Sequence, residues 1–182
     1  MEIIQTPIAG LLIIKPRVFE DARGFFCETY NRDQYAKSGI QLDFCQDNQS
    51  KSSYGVIRGL HYQLNPHSQS KLVLVAIGAV WDVAVDLRKN SPTFGQWYGV
   101  ELSAENKLQF LIPKGFAHGF SVVSETALFT YKCDDFYNQP MERGILYNDP
   151  ALNIDWKIPA DKAIVSPKDE LHPLFKDAEM NF

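Results

Sequence analysis

A guanidinium, an imidazole and an amide fall within six residues at Arg58-Gly59-Leu60-His61-Tyr62-Gln63, and an ammonium, Lys71, follows ten residues after His61 at the head of an apolar run. These types suit one chemistry: a cation for phosphate oxygens, an imidazole base, and a second cation for an oxyanion, as needed to take a proton from an anionic substrate. Further along, alternation in Ala127-Leu128-Phe129-Thr130-Tyr131-Lys132-Cys133 points Tyr131 inward with Ala127, Phe129 and Cys133. A buried phenol is either a core ring or a weak acid. His118 shares a face with Phe120 and Val122, the setting of a satisfied core imidazole. Asp169 follows the rigid Ser166-Pro167 turn.

Those groups need strands to hold them. Residues 3–14 read as strand, turn and strand, broken by Pro7 and Gly10. Asp21 to Gly24 is a turn into another strand, with Arg23 and Glu28 placed either to reach a ligand or to sit solvated at a hairpin tip. Asn31 to Ser38, stopped by Gly39, is the best short helix. Alternation puts Gln46, Asn48 and Ser50 on one face, which looks at water or lines a polar pocket. In residues 56–63 a regular strand would point Arg58 and His61 to opposite faces unless Gly59 permits a bulge. Gly78-Ala79 reads as the turn of a hairpin between residues 71–77 and 80–87. In the second of these runs Asp82, Ala84 and Asp86 alternate with Trp81, Val83 and Val85, fitting either a solvent face or a cavity wall. Residues 96–102, 108–112 and 116–123 read as further strands. Regularity is lost after Asp134-Asp135-Phe136-Tyr137, where Arg143 and several prolines fall.

Many short strands between Gly/Pro turns indicate a mainly β sandwich or barrel with a few short helices, organised as one domain over residues 1–182. An aromatic share of 13% suits rings packed between sheets. A net charge of −4 with a pI near 5.5 argues against nucleic-acid binding by bulk attraction, so an anionic ligand needs a few placed Arg and Lys residues. Cys27, Cys45 and Cys133 lack paired spacing and read as reduced thiols. An acidic N-terminus and the lack of a long apolar run argue for a cytoplasmic chain without membrane contact.

Taken in order, Arg23-Gly24-Phe25-Phe26-x-Glu28, Gln46-Asp47-Asn48-x-Ser50, Arg58-Gly59-Leu60-His61-Tyr62-Gln63 and Lys71-Leu72-Val73 resemble the dTDP-4-dehydrorhamnose 3,5-epimerase family. The likeness continues through Trp81-Asp82-Val83-Ala84-Val85-Asp86-Leu87-Arg88, Pro113-Lys114-Gly115-Phe116-Ala117-His118-Gly119-Phe120, Tyr131-Lys132-Cys133 and Ser166-x-Lys168-Asp169, and so covers nearly the whole chain. Ser70 stands where the family more often has Gly, and Gln49 where His is frequent; neither removes a group that does chemistry.

The resemblance implies a cupin-type jelly-roll β-sandwich acting on a dTDP-linked 4-keto-6-deoxyhexose, in dTDP-L-rhamnose synthesis. It makes His61 the base and Asp169 its orienting carboxylate. Tyr131 becomes the acid on the opposite ring face, and Lys71, helped by His118, the stabiliser of the C4 oxyanion. It assigns Arg23 and Arg58 to the diphosphate, Glu28, Gln46 and Asn48 to nucleotide or sugar, Tyr137 to stacking on thymine and Asp82 to the sugar pocket. Phe26, Arg143 and Lys168 complete the expected substrate-binding set. A homodimer is implied, with an arm of one subunit completing the other's site. No metal is expected, because His61-Tyr62-Gln63 has Gln where a metal-binding cupin has its second His. No redox cofactor is expected either, since no Gly-rich fingerprint is present and the reaction carries no net oxidation. The alternatives are an epimerase of one carbon only, or a non-catalytic sugar-nucleotide-binding cupin.

Overall fold

Runs of alternating residues between glycine and proline turns become thirteen strands in the computed structural model, which describes residues Met1–Phe182. The first are β1 (Glu2–Gln5), β2 (Leu12–Lys15), β3 (Val18–Asp21) and β4 (Gly24–Cys27), followed by helix α1 (Arg32–Lys37). Asn31 caps α1 by accepting from the Asp33 and Gln34 amides, and Gly39 ends the segment at φ 87°, as the sequence predicts. Next come β5 (Gln46–Ser53), β6 (Ile57–Gln63), β7 (Lys71–Ile77), β8 (Ala79–Asp86) and β9 (Trp97–Ser103). After these the chain forms β10 (Gln109–Ile112), β11 (Phe116–Val122), β12 (Thr126–Cys133), β13 (Glu142–Gly144) and helix α2 (Pro167–Glu170).

All strand pairings are antiparallel. One sheet runs β1-β2-β10-β7-β12-β5 and the other β13-β6-β11-β8-β9, while β3 and β4 pair only with each other. The two large sheets pack face to face as the mainly β, cupin-like sandwich that the sequence predicts. Their shared core takes Val73, Val75, Phe110, Phe129 and Ala127 from one sheet and Val80, Ala84, Phe116, Phe120 and Val122 from the other. Phe129 stacks on Phe120 with ring centroids 4.2 Å apart. Burying each such ring stabilises the fold by about 1.5–3 kcal/mol.

One sequence expectation fails here. Residues 71–77 and 80–87 do not form a hairpin: β7 pairs with β10 and β12, whereas β8 pairs with β11 and β9 in the other sheet. Gly78, at φ 77°, carries the chain from sheet to sheet, and its close neighbour Thr126 leaves no room for a Cβ. Both strands bury one face in the common core, so facing each other across it satisfies them as well as pairing would.

The same topology decides the acidic face of β8. Asp82 and Asp86 are fully buried and lie on the interior side, because Trp81, Val83 and Val85 pack outward under the C-terminal segment. That segment, irregular from about Ile145 onward, covers the second sheet with Leu152, Trp156, Val165 and Phe175. No helix is long and apolar enough to cross a membrane.

Candidate functional site

At the sandwich edge where β5 and β13 are the outermost strands, the interior turns polar. Arg58 and His61 reach it through a bulge in β6. The register sets His61 opposite His118 and Arg58 opposite Phe120, three steps on β6 against two on β11. The extra residue returns Arg58 to the interior face that His61 occupies. Gly59 makes this possible at φ 129°, since a Cβ there would stand 2.5 Å from Gly119 Cα and 2.9 Å from the His118 carbonyl. The Arg58 Nε then donates across the sandwich to Ser52 Oγ on β5 at 3.1 Å.

Behind His61 lies α2. Ser166 caps it by accepting from the Asp169 amide at 3.1 Å, which fixes the Asp169 backbone. Asp169 Oδ1 is 2.8 Å from His61 Nε2, and Oδ2 accepts from the Gly59 amide at 3.4 Å. Burial would raise the Asp169 carboxyl, but the His61 hydrogen bond and charge, with the Gly59 amide, outweigh it and hold the group ionised below its ordinary range. His61 itself is 32% exposed against 6% for Asp169, so its Nδ1 is left for a ligand.

The opposing sheet supplies Tyr131 and Lys71 from β12 and β7. Lys71 Nζ lies 5.9 Å from the Tyr131 ring centre. Burial raises the Tyr131 phenol, which stays protonated, while Arg58 opposes the shift. Lys71 is drawn down by burial and pulled back by Cys133, Asp82 and Glu142. His118 is a bonded core imidazole, as its apolar neighbours predict: its Nε2 is 3.0 Å from both Asp82 oxygens. Burial lowers His118 and raises Asp82, each towards its neutral form.

The rim comes from β5, β13 and the loop between β12 and β13. Gln46 accepts from the Tyr137 amide at 2.9 Å and donates to Asn48 at 3.0 Å. Lys168 Nζ stands 2.6 Å and Tyr137 Oη 3.0 Å from Glu142 Oε2. Sequence reasoning passes over Glu142, whose place opposite Gln63 turns it towards the His61 side. It also passes over His172, whose ring meets His61 edge-on at 5.6 Å. A spacing of three from Asp169 along a helical turn is the signal that finds it.

Four predicted residues are not brought to this cavity in the single chain. Arg143 sits opposite Tyr62, on the other face of the sheet, and pairs with Glu179 at 2.8 Å. Arg23, Phe26 and Glu28 belong to the β3–β4 hairpin and its exit. There Arg23 is 91% exposed and bonds to Asp21, and Phe26 is 67% exposed.

The residues present do not fit a cupin metal. Gln63 uses its whole amide to hold the rim loop, donating to the His67 and Phe136 carbonyls and accepting from the Asn138 amide. His61, Asp169 and His172 converge within 4.8 Å of one another, with His61 Nε2 at hydrogen-bond distance, 2.8 Å, from Asp169.

Comparison with known proteins identifies the family. The family model of dTDP-4-dehydrorhamnose 3,5-epimerase matches residues 5–177. The chain is 52% identical to the dTDP-4-dehydrorhamnose 3,5-epimerase of Shigella flexneri over 180 residues, covering 98% of each. Its fold matches the crystal structure of dTDP-4-dehydrorhamnose 3,5-epimerase from Elizabethkingia anophelis NUHP1 with a TM-score of 0.92 at 58% identity, covering 97% of both chains. It also matches dTDP-6-deoxy-D-glucose-3,5-epimerase from Legionella pneumophila Philadelphia 1, solved in complex with dTDP-4-keto-L-rhamnose, with a TM-score of 0.93 at 52% identity over 97% of this chain and 93% of the other. With an Asp-bonded imidazole on a bulged β6 and a half-buried phenol and ammonium on the opposing sheet, and matched at this identity over nearly its full length, the chain belongs to the dTDP-4-dehydrorhamnose 3,5-epimerase family.

Proposed function

We propose that the protein inverts C3 and C5 of dTDP-4-keto-6-deoxyglucose without a cofactor, as a step of dTDP-L-rhamnose synthesis. The observation that carries this reading is the polar end of the sandwich, where an Asp169-bonded His61 on one sheet shares the interior with Tyr131 and Lys71 on the other. A C4 ketone acidifies the hydrogens at C3 and C5. His61 takes one of these protons, and the electron pair of the broken C–H bond moves through the C3–C4 or C4–C5 bond onto the ketone oxygen. The resulting enolate oxygen is met by Lys71 and His118, a kind of contact worth about 2.7–4 kcal/mol in the transition state. Tyr131 then delivers its proton to the same carbon from the opposite ring face, which inverts the centre, and solvent exchange resets the imidazolium and phenolate. Asp169 stabilises the imidazolium while it lasts.

Arg58 binds diphosphate oxygens, Gln46, Asn48 and Lys168 contact sugar or nucleotide, Asp82 lines the sugar pocket behind His118, and Tyr137 stacks on the base. Arg23, Phe26 and Glu28 act from a partner subunit in a homodimer. The β3–β4 hairpin supports that assembly, because it pairs with neither sheet and exposes Phe19, Phe25 and Phe26. Sedimentation equilibrium of the purified protein is expected to give a dimer; a monomer at micromolar concentration would remove the arm from the account. The three free cysteines favour a reducing cytoplasmic setting.

Proton NMR of the substrate with enzyme in deuterium oxide tests the reaction. Deuterium is expected at both C3 and C5. Label at one carbon only would make the protein a single-centre epimerase, and label at neither would leave a binding protein.

A further inference from the structure

His172 has no place in the reaction just described, yet it is built into the back of the site. It follows α2 immediately after Leu171, and its backbone amide donates to the Asp169 carbonyl at 3.4 Å. Its side chain is only 12% exposed, and its buried Nε2 has no hydrogen-bond partner. A buried polar atom left unpaired costs free energy, so its position calls for a reason. Asp169 Oδ1, the oxygen that holds His61, lies 3.5 Å from that nitrogen.

The space for the ring comes from Gly144. That residue stands opposite His61 in the β13–β6 pairing, and a Cβ there would fall 2.3–2.5 Å from the Nε2, Cδ2 and Cε1 atoms of His172. His172 is thus wedged between β13 and Asp169, with its ring edge-on to His61. Asp169 and Lys168 of α2, His61 of β6 and Glu142 of β13 are the charged and titratable groups around it. Burial, with the nearby His61, lowers the His172 imidazole and so favours the neutral form, which has one N–H to give.

We infer that His172 is a positioning residue for the His61–Asp169 pair, directing its Nε2–H at Asp169 Oδ1 while the Gly59 amide fixes Oδ2. A carboxylate held at both oxygens keeps its acceptor aimed at His61 Nε2. That fixes the Nε2–H tautomer of His61 and leaves Nδ1 free as the base. The contact is long for a hydrogen bond before substrate arrives and shortens as the proton reaches His61. This inference rests on His61 being the base.

His172→Leu and His172→Gln decide it, because the two side chains have similar size and only the glutamine carries an amide N–H. In the Leu variant kcat is expected to fall by about one to two orders of magnitude with KM unchanged, and the Gln variant to recover most of that loss. With ¹⁵N-histidine labelling and only four histidines in the chain, the ring nitrogens of His61 report its tautomer without substrate. They are expected to show a single Nε2–H form in the wild type and the Gln variant, and a mixture in the Leu variant. Equal behaviour of the two variants, whether both active or both inactive, or a change confined to KM, overturns the inference. The tautomer measurement stands apart from turnover, so it separates failure here from failure of His61 as the base.

Discussion

Two histidine–aspartate pairs stand side by side, His61 opposite His118 in the β6–β11 pairing, with nearly the same bond and different surroundings. His61 Nε2 meets Asp169 at 2.8 Å with the imidazole 32% exposed, whereas His118 Nε2 meets Asp82 at 3.0 Å with the imidazole 8% exposed. Asp169 is supported by the Gly59 amide and lies at the end of a capped helix, while Asp82 is fully buried near Lys71. Chemistry alone does not distinguish a proton-taking base from a fixed hydrogen-bond donor; access does. The outer pair is open enough for a ligand to reach, and the inner pair, with both members drawn towards their neutral forms, stands buried beside Lys71.

The largest effect should come from breaking the outer pair. Asp169→Asn keeps the shape but removes the charge that orients and stabilises the His61 imidazolium, so deuterium exchange into substrate should fall by about 10³–10⁴ with little change in KM. Asp82→Asn should cost less activity and more stability, because Asn keeps one acceptor for His118 Nε2 but sets a buried NH2 group where the second carboxylate oxygen stood. Equal exchange losses in the two variants would erase the distinction between the pairs.

A third carboxylate sharpens the contrast at the level of folding. Burial alone would raise Asp86, but hydrogen bonds from Arg88, Ser91 and Thr93 outweigh it and hold the carboxyl down to about 2. A depressed folded-state value means that the stabilisation is fully present above the unfolded value of 3.8 and is lost as pH falls towards 2. Asp86→Asn should therefore lower the melting temperature at pH 6 and flatten its decline between pH 4 and pH 2, with smaller effects on exchange than Asp169→Asn. An unchanged slope in that window would show that Asp86 does not govern acid stability.

Much of this was legible in the sequence, because period-two alternation and glycine turns are local signals. The inward face of Tyr131, the capped helix after Asn31 and the mainly β sandwich all follow from them. Non-local facts did not show. Gly78 looks the same whether it closes a hairpin or carries the chain across a sandwich, and only the partners of β7 and β8 decide. The acid face of β8 could not be turned inward until the C-terminal segment was known to cover Trp81, Val83 and Val85. The sequence allows a bulge at Gly59, but the need for glycine there comes from the Gly119 backbone, 60 residues away in sequence. Glu142 and His172 lie in stretches without periodicity, where no face can be assigned from spacing. The motif resemblance bridged part of that gap, since it marked Asp169 and Lys168 despite their irregular surroundings.

The central claim is that His61 removes the proton and Tyr131 returns one from the other face. Its most direct test is proton NMR in deuterium oxide with His61→Asn and Tyr131→Phe beside the wild type. His61→Asn is expected to bind the nucleotide and lose exchange at C3 and C5, and Tyr131→Phe to keep more exchange than net inversion. Exchange by His61→Asn at close to the wild-type rate would contradict the account.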